Sequence, residues 1–233
     1  REGEEIPFSI VRARVTVELI QTRMIDEITG YMQITEFAET LPLQFKVGLQ
    51  ELLDQGASQI VFDMRNNPGG SAQALIETLD LLLPEGIIAT TRGRQDGEIE
   101  TETWTSDAEM MVPEDMRYAI LVNGGTASAA ELFSGALRDY DKAVLIGETT
   151  YGKGSGTRTF RLNDGSALNV TIFNYYLPKG EMIEETGLAP QIETEPVSLE
   201  FRSTPVYRLT PEQDPSLKAA LEYFAKLDSL RTP

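Results

Sequence analysis

Histidine and cysteine are both missing from this chain of 233 residues. Their absence excludes Ser-His-Asp and Cys-His catalysis within the chain, and with them any zinc site built on His or Cys. An enzyme made of these residues must work with Ser, Thr, Lys, Tyr or carboxylates. Zero cysteine suits oxidising and reducing compartments alike and selects neither. Positive charge is also scarce, with 20 Lys and Arg against 37 Asp and Glu, a net charge of −17. Nucleic acid is therefore disfavoured as a partner, because phosphate contacts need clustered Lys and Arg. No run of ~18 apolar residues exists, so no helical membrane span is expected. The opening residues Arg1-Glu2-Gly3-Glu4-Glu5 are acidic and do not read as a signal peptide. The expectation is a mature domain whose targeting segment lies outside this chain.

What is present suffices for a core, since 41% of the residues are hydrophobic. That composition fits one large domain or one and a half small ones. Residues 8–19 (FSIVRARVTVEL) alternate polar and apolar side chains and predict a half-buried strand. Residues 30–35 predict another. Residues 39–55 carry Leu41, Phe45, Leu49, Leu52 and Leu53 at helical spacing, with Pro42 in the first turn and Gly56 closing. Residues 58–64 (SQIVFDM) form a short apolar run, the mark of a buried and parallel strand. Arg65-Asn66-Asn67-Pro68-Gly69-Gly70 follows, then a helix over 72–83. Backbone amides at such a strand–turn–helix junction can bind an anion or a developing oxyanion, though an ordinary tight connection is the plainer reading.

Further on, residues 87–91 and 98–104 flank Arg94-Gln95-Asp96-Gly97, a hairpin signal. Residues 118–122 predict another buried strand. Residues 157–162 and 167–173 flank Asn163-Asp164-Gly165-Ser166, a second hairpin, and Leu177-Pro178-Lys179-Gly180 reads as a turn. Residues 190–196 read as extended. Thr210 and Pro211 predict the start of a last helix with Leu217, Leu221 and Phe224 on its apolar face. Strands alternating with helices predict α/β layering with hairpins added at the edges.

The chemistry concentrates in residues 123–154. Ser128 lies in a Gly- and Ala-rich turn that opens a helix over 129–138. Ser128-Ala129-Ala130-Glu131 is also a capping box, in which Ser128 caps the helix and Glu131 reaches back. Capping is the plainer reading, and a nucleophilic role can coexist with it, because a serine at a helix N-terminus sits beside free amides and the positive end of the dipole. The Ala129 N–H is then a natural oxyanion donor, with the Gly69-Gly70 turn able to supply a second. Lys153 stands between two glycines after a short apolar strand, 153 − 128 = 25 residues after Ser128. A helix and a returning strand fill that interval and would bring the amine to within ~2.6–3.2 Å of the hydroxyl, or looser without substrate. A lysine freed of its proton can serve as base to a serine. The plainer reading is a solvated lysine, or one paired with Glu148.

Gly147-Glu148-Thr149-Thr150-Tyr151-Gly152-Lys153 also fits the first seven positions of a phosphate-binding loop. The eighth position is Gly154 instead of Ser or Thr, and residues 157 onward alternate like a strand where a helix is needed. Nucleotide binding is set aside on those two counts.

Together these stretches resemble the protease core of the carboxyl-terminal processing peptidases, also called tail-specific proteases. That family carries a D-[LM]-R-x-N-P-G-G turn, a nucleophile motif like S-A-S-A-S-E, and a lysine turn 25 residues after the nucleophile. This chain has Asp63-Met64-Arg65-Asn66-Asn67-Pro68-Gly69-Gly70, Thr126-Ala127-Ser128-Ala129-Ala130-Glu131 and Tyr151-Gly152-Lys153-Gly154. Leu162-Asn163-Asp164-Gly165-Ser166 and Pro178-Lys179-Gly180 follow in the expected order. The resemblance implies an α/β fold of the crotonase-like (ClpP/crotonase) type, a layered β-β-α core with added hairpins. It divides the chain into a joining strand segment (1–29), a peptidase core (30–198) and a C-terminal extension with a terminal helix (199–233).

By matching position the resemblance implies Ser128 as nucleophile, Lys153 as general base, and Gly69 or Gly70 with Ala129 as oxyanion donors. The family places a glutamine four residues after the lysine to orient it; here Thr157 takes that place with a shorter side chain. Thr126 replaces a usual serine. In that family a PDZ domain normally precedes the first core strand; none is expected within these residues, so either it lies outside this chain or the protein is a core-only homologue. The expected activity is a serine endopeptidase acting through a Ser-Lys dyad and an acyl-enzyme, with no cofactor or metal. Protein or peptide C-terminal segments are the expected partners, an extracytoplasmic space (periplasm, envelope or lumen) the expected location, and homo-oligomerisation stays open. The alternative is a catalytically weak or inactive peptide-binding homologue.

Overall fold

A computed structural model describes residues 8–9, 17–95 and 97–231. In chain order the elements are β1 (Ile20–Met24), β2 (Thr29–Ile34), α1 (Leu41–Asp54), β3 (Gln59–Asp63), α2 (Ala72–Asp80), β4 (Gly86–Gln95) and β5 (Glu98–Ser106). Then come β6 (Arg117–Val122), α3 (Ala129–Asp139), β7 (Ala143–Gly147), β8 (Ser155–Arg161), β9 (Ala167–Tyr176), β10 (Ile192–Glu193) and α4 (Pro215–Arg231). They build a layered α/β core. A six-stranded sheet runs in the order β1-β2-β3-β6-β7-β10, and a four-stranded sheet in the order β5-β4-β9-β8. In the larger sheet β2, β3, β6, β7 and β10 are parallel and β1 is antiparallel at the edge. The smaller sheet is two hairpins joined where β4 meets β9.

Both faces of the larger sheet are covered, which is why its strands read as unbroken apolar runs. Alternate residues go to opposite sides. Met32, Ile60, Phe62, Tyr118, Ile120 and Leu145 pack with Phe45 and Leu49 of α1, Leu75 and Leu79 of α2, and Phe133 of α3. Tyr31, Val61, Ala119, Leu121, Val144 and Ile146 pack with Leu217, Ala220 and Phe224 of α4. Phe62 sits at the centre of the first layer, its ring 5.4 Å from Phe133 edge-on and 5.8 Å from Phe45. Each such fully buried side chain contributes about 1.5–3 kcal/mol.

Apart from shifted element ends, such as α2 stopping at Asp80 where the sequence predicts a helix to residue 83, the sequence expectations differ from the fold at two places. The strand expected over 8–19 falls mostly on residues outside the described set; residues 8–9 and 17–19 are described and carry no strand, and pairing begins at Ile20. The last helix begins at Pro215, not Pro211. Thr210 instead makes a tight turn, its carbonyl accepting from Gln213 and Asp214 N–H. Asp214 takes the capping position, its carboxylate accepting from Ser216 and Leu217 N–H at 3.1 and 3.3 Å. The cap-then-proline signal occurs twice, and the second copy wins because Asp214 also meets a buried arginine. Ala220 rather than Leu221 then faces the sheet.

Candidate active site

Three turns at the carboxyl ends of parallel strands converge on one cavity, as open α/β sheets commonly arrange their sites. The first follows β3. Asp63 at the strand end accepts from the Tyr31 hydroxyl at 2.7 Å and from the Arg65 N–H at 3.0 Å. The Arg65 guanidinium lies between Asp63 and Asp214, within 3.0 Å of both Asp214 oxygens. Arg65 thereby pins the turn to the cap of α4, 149 residues away in sequence. Burial, and then the Asp63 carboxylate, push the Tyr31 phenol above its ordinary range, so it remains a donor.

Asn66 turns the chain with φ 61°, a conformation asparagine tolerates. Asn67 is fully buried and holds three neighbours. Its side chain donates to Ile34 C=O and accepts from Gly69 N–H, both at 2.9 Å, and its own C=O accepts from Ala127 N–H. The turn is thus bonded directly to the one that carries Ser128. Gly69 has φ 93°, and a methyl group on it would lie 2.7–2.8 Å from Ala127 O, Ala129 N and Ser128 Cβ. Only glycine lets the two turns approach this closely.

The second turn follows β6. Ser128 has φ 57° and ψ −119°, a region that a residue with a side chain rarely enters. Such strain costs on the order of 1–3 kcal/mol and persists where surroundings over-determine it. The surroundings are explicit here. Of the capping box expected from Ser128 and Glu131 the glutamate half is made, Glu131 Oε2 accepting from Ser128 N–H at 2.8 Å, while the Ser128 hydroxyl makes no cap bond to the helix. The third turn follows β7. Gly152 N–H and Lys153 N–H donate to the same Glu131 carboxylate at 2.7 and 2.9 Å, and Thr150 Oγ1 donates to it as well. β8 follows Lys153, not the helix that a phosphate-binding loop requires.

The cavity measures about 300 Å³ and is lined by Gly70, Ser128, Ala129, Lys153, Ser155 and Thr157, with Leu75, Trp104, Leu132 and Phe173 forming its apolar side. Trp104 meets Phe173 edge-on at 5.9 Å, joining the two hairpins over the opening. Ser128, Lys153, Thr157, Gly70 and Ala129 therefore line this cavity, whereas Gly69 does not and packs against the backbone of the Ser128 turn. Gly70 and Ala129 have backbone N–H groups with no acceptor among the described residues, whereas the Gly69 N–H is taken by Asn67. Of the two glycines, Gly70 is the one with an amide to offer.

Two expected contacts are not made. No hydrogen bond joins the Ser128 hydroxyl to the Lys153 amine, and none joins Thr157 to Lys153. The Lys153 amine has no hydrogen-bond or ion-pair partner among the described residues, Glu148 included. Nucleophile–base bonds commonly tighten only around substrate. Thr157 falls at a register shift in β8, which breaks the side-chain alternation that would aim it from Lys153.

Sequence reasoning missed Tyr175, whose hydroxyl donates to Lys153 C=O at 2.6 Å and Ser128 C=O at 3.1 Å. Burial first, then Glu131 and Glu184, push its phenol above the ordinary range, so it stays protonated. Glu184 was missed too; one oxygen accepts from Ser155 Oγ at 3.1 Å and the other is buried without a partner. Among the described residues no group of three or more Asp or Glu is placed to hold a metal ion. None of their helices is long and apolar enough to cross a membrane.

A model of peptidase family S41 matches residues 28–194. A carboxyl-terminal-processing protease of Synechocystis is 33% identical over 226 residues, covering 94% of this chain and 51% of that protein. A carboxy-terminal processing protease of Bacillus subtilis is 33% identical over 190 residues, covering 82% of this chain and 40% of that one. Among solved structures, a photosystem II D1 C-terminal processing protease superposes with a TM-score of 0.69 at 27% identity, covering 79% of this chain and 50% of the other. This chain spans about half the length of these relatives, or less.

Proposed function

From the premise that this chain belongs to peptidase family S41, we propose that it is the core of a serine endopeptidase working through Ser128 and Lys153. The Ser128 hydroxyl attacks the scissile carbonyl carbon, and the neutral Lys153 amine takes its proton. The carbonyl oxygen, now an anion, receives the N–H groups of Gly70 and Ala129. Collapse of the tetrahedral species breaks the C–N bond, and Lys153 returns the proton to the departing amine. An ester on Ser128 remains. Water attacks it, Lys153 taking a proton from the water and passing it to the departing Ser128 oxygen, which restores the serine hydroxyl and the neutral amine and frees the carboxylate product.

The observation that carries this reading is the convergence in one cavity of a strained serine, a lysine amine without a partner, and two acceptorless backbone N–H groups. The substrate class follows from the relatives' names: polypeptide near a protein C-terminus. Its backbone would add to the unpaired edge of β8, which starts two residues after Lys153. An extracytoplasmic site of action, bacterial or in a lumen, fits a family whose Arabidopsis relative is described as chloroplastic. The alternative, a weak or inactive peptide-binding homologue, is favoured by the missing Thr157–Lys153 bond.

A fluorophosphonate probe decides between them, since only an activated serine is labelled. Labelling of the wild type, its loss in Ser128→Ala, and loss of peptide cleavage in Lys153→Arg are expected. The arginine keeps a charge that cannot be removed near neutral pH, so it cannot accept the serine proton. A wild type that resists the probe, or a Lys153→Arg protein that cleaves as fast as wild type, overturns the dyad.

A further inference from the structure

The backbone N–H and C=O groups of residues 128 and 153 converge on only two side chains. Both N–H groups donate to one atom, Glu131 Oε2, at 2.8 and 2.9 Å. Both C=O groups accept from one hydroxyl, that of Tyr175, at 3.1 and 2.6 Å. Glu131 is fully buried and Tyr175 nearly so, at 0% and 4% exposure. Glu131 Oε1 is occupied as well, by Gly152 N–H and Thr150 Oγ1. Four donors match the roughly four acceptor sites of a carboxylate, so its orientation is determined from every side. Tyr175 is held in turn, since its own N–H donates to Gly154 C=O at 2.9 Å.

We propose that Glu131 and Tyr175 are positioning residues that form a clamp and set the spacing of the proposed nucleophile and base. This clamp rests on the Ser128–Lys153 reading and deepens it. Its two members come from different elements, α3 and β9, and each touches both catalytic turns. Neither acts through a proton of its own. Glu131 fixes the turns from their amide side and Tyr175 from their carbonyl side, so that Ser128 and Lys153 move as one body while their side chains remain free. The clamp also explains why the lysine amine needs no partner in the cavity. Its backbone is located by two buried groups, and only the four-carbon stem has to find the serine. A displacement of about 1 Å at such a pair can cost on the order of 100-fold in rate.

Tyr175→Phe is the clean test, because it removes one hydroxyl and keeps the ring. Peptide kinetics, active-site titration with the fluorophosphonate and thermal unfolding are measured together on wild type and variant. The clamp requires kcat per titrated site to fall at least about tenfold with KM within twofold, while the variant remains folded. Glu131→Gln should show the same split, and the double variant should lose less than the product of the two single losses. If Glu131→Gln does not fold, Tyr175→Phe alone decides. A Tyr175→Phe enzyme with kcat per site within twofold of wild type overturns the clamp and leaves the dyad standing. A rise in KM at constant kcat also overturns it, since it moves Tyr175 to substrate binding. A wild type that the probe never labels removes the dyad, and the clamp with it.

Discussion

Asp214→Ala removes one carboxylate from the buried Asp63–Arg65–Asp214 group and takes the cap from α4 in the same step. The side chains of the three residues are 0%, 7% and 1% exposed, so water cannot replace what is lost. Removing one partner of a buried ion pair costs about 3–5 kcal/mol. Arg65 keeps its bonds to Asp63, which places the loss at the low end, about 3 kcal/mol. The two bonds to Ser216 and Leu217 N–H disappear as well, worth about 1 kcal/mol as a helix cap. A total near 4 kcal/mol lowers Tm by about 8–16 °C in a chain of this length. Asp214→Asn retains an acceptor for the cap and one for the guanidinium, so its Tm should fall between those of Ala and wild type. Thermal and urea unfolding of the three proteins supply the numbers. If Asp214→Ala melts within about 2 °C of wild type, the group contributes no net stability and Arg65 does not tie α4 to the β3 turn.

Gly69→Ala should abolish fluorophosphonate labelling in a folded protein, because its methyl group would meet Ser128 Cβ and the Ala129 amide at 2.8 Å while the residue is held at φ 93°; labelling at the wild-type rate would show that the two turns do not need this approach. Tyr118→Phe should be neutral or stabilising, up to about 1–3 kcal/mol, since the Tyr118 hydroxyl is buried without a partner; a drop in Tm of several degrees would mean that this hydroxyl is satisfied after all. Stability should fall above pH 10. Burial raises the phenols of Tyr31, Tyr118 and Tyr175 above the ordinary value of 10.0. The unfolded chain then releases protons that the folded chain keeps, so stability is full below pH ~10 and declines above it by up to about 1.4 kcal/mol per pH unit for each tyrosine. Urea midpoints flat from pH 9 to 11.5 would contradict that sign, and Tyr118→Phe should make the decline shallower.

The candidate site groups were legible because they are local. A serine at a helix start, a lysine between glycines and a turn with two glycines each declare themselves within a few residues. The parallel strands were legible for a related reason: burial on both faces makes β3, β6 and β7 apolar throughout. What could not be read was whatever depends on a partner far along the chain. Thr210-Pro211 and Asp214-Pro215 are equally good helix starts by local rules, and the choice rests on an arginine 149 residues earlier. Thr157 was placed by counting from Lys153; it does line the cavity, but its missing bond to the lysine could not be read from spacing.

Glu131 shows where the boundary lies. Its bond to Ser128, three residues away, belongs to the local grammar of helix starts and was foreseen. Its bonds to Thr150, Gly152 and Lys153 span 19–22 residues and exist only because β7 returns beside α3. A capping glutamate and one that gathers the two turns carrying Ser128 and Lys153 are the same residue at the same spacing; the difference is how many donors the fold delivers to it. A cap alone needs one or two of its acceptor sites and would leave the rest to solvent. Full burial removes that option, and an unsatisfied buried carboxylate is costly, so each further site must find a donor. At this position the donors are the amides of the lysine turn, and the requirement of satisfying one buried carboxylate also brings the backbone of Lys153 beside that of Ser128.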